Sequence, residues 1–257
     1  MRVLFIGDVF STPGYTVTQR YLAEVRDSFD FVIVNGENIA GGFGITRKHF
    51  DGLLDAGADV VTLGNHTWDA KDAFELLEET PRLIRPLNYP PGAPGLGHTT
   101  LEARTGERVT VVQAMGRIFL PALDDPFRAM SEFLETVPQG STVIVDFHAE
   151  ATSEKKAMGE FLAGRVAAVI GTHTHVQTAD ELIKRGTAYL TDVGMTGVQD
   201  SAIGMRFDEV LYRFTTGLPK RYKPADAPGT VCAVSLTLAG GRATAIERIQ
   251  WRAPEAE

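Results

Sequence analysis

Four histidines follow short apolar runs: His66 in GNHTWD, His148 in FHAE, and His173 and His175 in GTHTH. The other two of the six, His49 and His98, fall on a helix-like stretch and in a loop. Further apolar runs end in acids and amides. Asp8 follows VLFIG, Glu37 and Asn38 follow FVIVNG, and Asn65 follows VVTLG, while Glu150 stands close to His148. Imidazole, carboxylate and amide oxygen together suit iron, manganese, zinc or cobalt. The one cysteine, Cys232, lies in the apolar run VCAVSLTL, so a thiolate-based structural zinc site is excluded. The candidate ligands outnumber what one ion with open positions needs. Two ions ~3.5–4 Å apart, sharing a carboxylate, would use them. Glu37 is the acid in the middle of the set and the natural bridge. Such a pair polarises a phosphoryl group and supplies hydroxide near neutral pH.

These residues need strands to position them, because ligands of open α/β sheets bind outside the carboxyl ends of the strands. The runs VLFIG, FVIVNG, DVVTLGN, VTVVQAM, STVIVDFH and VAAVIGTH read as buried strands, apolar, β-branched and bounded by turn residues. Residues 15–27, 46–57, 70–80, 126–136 and 153–163 read as helices. This alternation predicts an α/β fold with largely parallel pairing. Two segments depart from it. Residues 86–107 hold Pro and Gly and then a hairpin-like turn at Thr105-Gly106, and 229–251 read as two strands around Ala239-Gly240-Gly241. Antiparallel strands of this kind predict a mixed sheet or a second sheet packed on the first. Residues 217–229 read as an exposed loop. With no repeat and no linker, the expectation is one domain over 1–257, with 252–257 as a flexible tail.

The net charge of -8 argues against a general nucleic-acid binder but leaves room for a nucleotide held by metal ions. No apolar run approaches the ~18 residues of a membrane span, and the first residues lack the plan of a signal peptide. A cytoplasmic, acidic, globular protein without an internal disulfide is expected.

Taken in order, GDVF, GEN, GNHTWD, FHAE and GTHTH resemble the motifs of the calcineurin-like metallophosphoesterases. Those are Asp-x-His, Gly-Asp-x-x-Asp, Gly-Asn-His-(Glu/Asp), a lone His, and Gly-His-x-His. Phe10 stands where the first motif has His, and Glu37, followed by Asn38, stands where the second has Asp. With NGENIAGGFGIT and TDVGMTG, the departures are similar to the YmdB-like branch, bacterial 2′,3′-cyclic-nucleotide phosphodiesterases with a di-iron centre. The resemblance implies a four-layer α/β/β/α sandwich with two mixed β-sheets. It also implies two metal ions, iron first, with manganese or zinc as alternatives. Asp8, Glu37, Asn38 and His175 would surround one ion, and Glu37, Asn65, His148 and His173 the other, with His66 as the catalytic acid. Phe10 cannot bind metal, so Asn38 is expected to direct its Oδ1 to the ion held by Asp8.

Histidine is the usual proton donor near pH 7, which suits His66 to protonating a leaving oxygen. Asp69 either orients His66 or caps a helix starting near Ala70. The GGFG stretch, with Gly41 and Gly42, is either a phosphate cradle of backbone N–H groups or a tight turn needing positive φ. Asp192, in TDVGMTG, is expected to hydrogen-bond a metal-ligating His. Arg47, Lys48, Arg206 and KRYK are candidate phosphate contacts, with solvated surface charge as the plainer reading. The expected reaction opens a 2′,3′-cyclic nucleotide, such as 2′,3′-cAMP, to a monophosphate. Alternatives are a nucleotide phosphomonoesterase and a slow-turnover nucleotide sensor. A doubly wound dinucleotide binder would need G-x-G-x-x-G where GDVFSTPG stands. The expected partner is a small nucleotide or short phosphodiester, not duplex nucleic acid or a membrane, and a symmetric homo-oligomer is the prior.

Overall fold

The alternation of side chains along the strands decides the layering. In β1 (Arg2–Ile6), Val3 and Phe5 enter one apolar cluster, while Leu4 and Ile6 enter another. In β2 (Phe31–Asn35), Phe31 and Ile33 divide from Val32 and Val34 in the same way. A strand that is apolar on both faces must be covered on both. The computed structural model, which describes residues 1–253, shows by what.

Two six-stranded sheets pack face to face. The first has the order β12 (Arg242–Arg252), β11 (Thr230–Ala239), β1, β2, β3 (Val60–Thr62), β4 (Leu83–Ile84). The second runs β5 (His98–Glu102), β6 (Arg108–Met115), β7 (Thr142–His148), β8 (Ala168–Thr172), β10 (Thr187–Leu190), β9 (Leu182–Lys184). Phe5, Ile33 and Val60 of the first meet Val111, Ile144 and Ile170 of the second between the sheets. On the outer face of the first sheet, Leu4 and Val34 pack with Leu22 of α1 (Ser11–Val25), Phe50 of α2 (Arg47–Asp55) and Leu76 of α3 (Asp72–Glu79). On the outer face of the second, Val145 and Phe147 pack with Met130 of α4 (Pro126–Thr136) and Met158 of α5 (Thr152–Leu162). Each such buried side chain is worth ~1.5–3 kcal/mol, and the result is the α/β/β/α sandwich.

Strands β1 to β4 run parallel, as do β6, β7, β8 and β10. Both sheets are mixed, because β11, β12, β5 and β9 pair antiparallel. The Ala239–Gly241 hairpin is therefore an edge of the first sheet, and Thr105-Gly106 turns between β5 and β6.

Some elements differ from expectation. α1 begins at Ser11 rather than 15, since Pro13 sits in the first turn, where its missing N–H costs nothing. His98 opens β5 instead of lying in a loop. β4, β9, β10 and a sixth helix, α6 (Phe207–Thr216), were not foreseen. Gly217 closes α6 in the left-handed conformation (φ 71°), and the exposed loop follows. Of the tail expected at 252–257, Arg252 still closes β12 and residues 254–257 lie outside the described residues. No helix among the described residues is long and apolar enough to cross a membrane.

Candidate active site and metal centre

The carboxyl ends of β1, β2 and β3 in one sheet, and of β7 and β8 in the other, meet at one edge. Glu37, His148 and His173 each offer a ligand atom, and these atoms lie within 4.8 Å of one another. His148 Nε2 is 3.0 Å from Glu37 Oε1, 2.8 Å from Asn65 Oδ1 and 3.1 Å from His173 Nδ1. His173 Nε2 lies 3.1 Å from Glu150 Oε2. Asn38 Oδ1 lies 3.3 Å from His175 Nε2, while its Nδ2 donates to Gly42 O at 2.9 Å. Asp8 is fully buried. Its Oδ2 accepts from the His173 N–H at 2.9 Å, and its Oδ1 has no hydrogen-bond partner among the described residues. His66 Nδ1 meets Asp69 Oδ2 at 2.7 Å, and the His66 backbone N–H donates to Glu37 Oε2 at 3.0 Å. Above this floor opens a cavity of about 530 Å³, lined by Glu37, Asn38, His66, Glu150, His173 and His175 and walled by apolar side chains.

Buried hydrogen bonds fix the floor. The Thr172 hydroxyl donates to Asp146 Oδ1 at 2.6 Å, so it accepts from the His148 Nδ1–H at 2.8 Å. That arrangement turns Nε2 toward Glu37. Asp146 Oδ2 accepts from Thr62 Oγ1 at 2.5 Å and from Asn35 Nδ2 at 3.1 Å. Thr62 and Asn35 belong to the other sheet, so one carboxylate stitches both layers beneath the site. His173 and His175 hold φ of 101° and 66°, a region that side chains resist. The loop is pinned between them, because Asp192 Oδ2 accepts from the Thr174 N–H at 3.0 Å and pairs with Lys155 Nζ at 2.5 Å. Lys155 also donates to Thr172 O at 2.5 Å. A Cβ on Gly64 would fall 2.2 Å from Glu37 Oε2 and 2.5 Å from His148 Nε2, which explains the Gly of GNH.

Charge is concentrated here. Burial would raise the Glu37 carboxyl, but facing His148 and His66 hold it at about 2. Burial would depress His148, yet Glu37, Asp8 and Asp146 lift it to about 9. His173 is pushed down to about 3 by burial and by the charge on His148, and burial lowers His175 as well, so both present lone pairs. Asp8 is raised well above the usual range by burial, with Asp192 and Glu37 adding to it. Buried acids so close together are stabilised by a neighbouring cation, a part that a bound metal ion can play. The partnerless Asp8 Oδ1, the tight Glu37–His148–His173 cluster and the carboxylate, amide and imidazole donors all fit metal.

The expected residues separate by place. Asn38 lies with His175, and Asn65 with Glu37, His148 and His173. Asp69 meets His66 rather than capping a helix, since α3 starts at Asp72 and Lys71 occupies its cap position. Of the two readings of Gly41 and Gly42, the backbone has the geometry of the tight turn, and Gly42 lines the cavity. Their N–H groups donate to Ile39 O and Asn38 O at 3.0 Å each, inside a turn with φ of 69° and 103°. Asp192 reaches the Thr174 backbone and Lys155, not an imidazole. Arg47 pairs with Glu79 and Arg206 with Asp208 on the surface. Sequence reading missed Asp146, Thr172 and Lys155, and with them the cavity wall from Ile203, Met205, Val210 and Phe214. An acid inside the buried run TVIVDFH was the available signal for Asp146.

A profile of the family described as YmdB-like protein matches residues 4–249. A Bacillus subtilis (strain 168) protein named 2′,3′-cyclic-nucleotide 2′-phosphodiesterase is 45% identical over 255 residues, covering 97% of this chain and 96% of that one. A crystal structure of a hypothetical protein from Thermus thermophilus superposes with a TM-score of 0.95 at 49% identity, covering 99% of this chain and 100% of the other. A structure described as a novel phosphatase of Mycoplasma pneumoniae superposes with a TM-score of 0.92 at 31% identity, covering 98% and 93%.

Proposed function

The chain belongs to the YmdB-like family, and from that premise we propose that it is a metal-dependent phosphoric diester hydrolase opening 2′,3′-cyclic nucleotides such as 2′,3′-cAMP. The name of the Bacillus subtilis relative supports the substrate class. The observation that carries the chemistry is the buried Glu37–His148–His173 cluster beside the partnerless Asp8 Oδ1. Asp8, Glu37, Asn38 and His175 would hold one ion, and Glu37, Asn65, His148 and His173 the other. Iron is our assignment for both, from the likeness to the YmdB-like branch; the imidazole, carboxylate and amide donors suit manganese or zinc as well. When bound, the ions draw charge from the phosphoryl oxygens and acidify water enough to attack near neutral pH.

The chain's own groups do the rest. Asp69 holds His66 Nδ1, which leaves Nε2 to carry the proton for the departing ribose oxygen. The bond from the His66 N–H to Glu37 Oε2 fixes that donor against the shared acid. Apolar walls shield the reacting phosphate from bulk water. The substrate is a small nucleotide or short phosphodiester rather than duplex nucleic acid, in keeping with the net charge of -8. The whole chain acts as one domain. It works in the cytoplasm as a homo-oligomer, a reading that rests on the prevalence of symmetric assemblies.

Steady-state hydrolysis of bis-p-nitrophenyl phosphate with Mn²⁺ tests this. His66→Ala should lower kcat by ~10²–10⁴-fold with metal content kept, and Glu37→Ala should lose metal as well as activity. Wild type no faster than both variants across several metals would end the enzyme reading.

A further inference from the structure

The GGFG turn spends the N–H groups of Gly41, Gly42 and Phe43 on local carbonyls, yet it presents a side chain. Gly41, Gly42 and Gly44 hold φ of 69°, 103° and 73°, open to glycine at no cost. A Cβ on Gly42 would lie 3.0 Å from Met205 Cε and Phe10 Cζ, and one on Gly44 would lie 2.7 Å from Ala70 N. The backbone is thus packed closely on either side of Phe43, at Gly42 and at Gly44. Phe43 is 46% exposed. It lines the cavity and sets its ring edge-on to His66, with centroids 5.0 Å apart and planes at 71°. Ile203 and Phe214, which also line the cavity, are 56% and 77% exposed.

The cavity is therefore divided, with acids and imidazoles on its floor and uncovered apolar side chains on its walls. Such a site takes a ligand with an anionic end and a flat apolar end. A nucleoside phosphate has that form, and every base offers a π-face for stacking. We propose that Phe43 stacks on the nucleobase of the bound nucleotide and so sets the preference for nucleotides over base-free phosphodiesters. This rests on the reading above, in which the phosphate lies against the Glu37–His148–His173 floor.

The test uses two cyclic phosphodiesters with the same five-membered ring, 2′,3′-cAMP and glycerol 1,2-cyclic phosphate, on Mn²⁺-loaded protein. Phe43→Ala should lower the ratio of kcat/KM values, nucleotide over base-free, by about tenfold, mainly through the KM for the nucleotide. Phe43→Trp should restore it. An equal effect on both substrates, or on neither, overturns the proposal. Calorimetric binding of adenosine 3′-monophosphate and glycerol 1-phosphate decides the matter independently of turnover. If wild type hydrolyses neither diester but prefers the nucleotide, and Phe43→Ala loses that preference, the hydrolase reading falls and the stacking site stands. Equal binding of the two ligands by wild type overturns the stacking site.

Discussion

At the floor of the cavity, Asp146, Thr172 and His148 are fully buried and linked by hydrogen bonds. At its mouth, α6 buries only Glu209 and leaves Leu211 55% and Phe214 77% exposed. The floor is held by directional bonds running through two sheets. The mouth is held by Val210 and Tyr222 against the small apolar cluster of Phe10, Met195 and Met205. Segments with few buried contacts open at lower free energy than core strands. The difference suits the two tasks of the proposed site: holding donor atoms in a fixed arrangement, and admitting a substrate.

Three substitutions sharpen or break that contrast. Lys155→Met should have the largest effect, because it leaves Asp192 buried without its cation. Breaking such a pair costs ~3–5 kcal/mol, read as a lower denaturation midpoint, and a loss below ~1 kcal/mol would show that the floor is no stiffer than the mouth. Thr172→Val strips one partner each from Asp146 and His148. It should cost ~1–3 kcal/mol and weaken metal binding ~10–100-fold in a Mn²⁺ titration. Unchanged affinity would mean that Thr172 does not orient His148. Phe214→Ser, at the mouth, should change stability by no more than ~0.5 kcal/mol. A larger loss by the same denaturation measurement would make the mouth part of the core.

The floor was more legible in the sequence than the mouth, and incompletely. Apolar runs mark strands, so residues just past them, such as Asp8, His66 and His173, declare themselves by position. Asp146 lies inside β7, where a polar residue reads as an interruption of the pattern, and Thr172 ends β8 as a β-branched residue that fits a strand without marking a role. Lys155, in TSEKK, looks like any lysine on a solvated helix, and only the distant Asp192 makes it a core residue. At the mouth, Phe207, Val210, Leu211 and Phe214 follow the i, i+3, i+4, i+7 helical spacing, a signal that had been available. The strands β9 and β10, of 3 and 4 residues, are too short for periodicity to reveal.

The stitch from Asp146 to Asn35 and Thr62 also bears on how the molecule comes into being. The first sheet contributes Asp8, Glu37, Asn38 and Asn65, and the second contributes His148, His173 and His175. Neither sheet alone owns a full set of donors for the shared-carboxylate pair proposed above. The first sheet is itself completed by β11 from the far end of the chain. During synthesis, then, no early fragment can capture ions in the native arrangement. On the proposed reading, ion uptake would be a late event that rewards docking of the two layers, and at a hundredfold excess over Kd it would hold them together by ~2.7 kcal/mol.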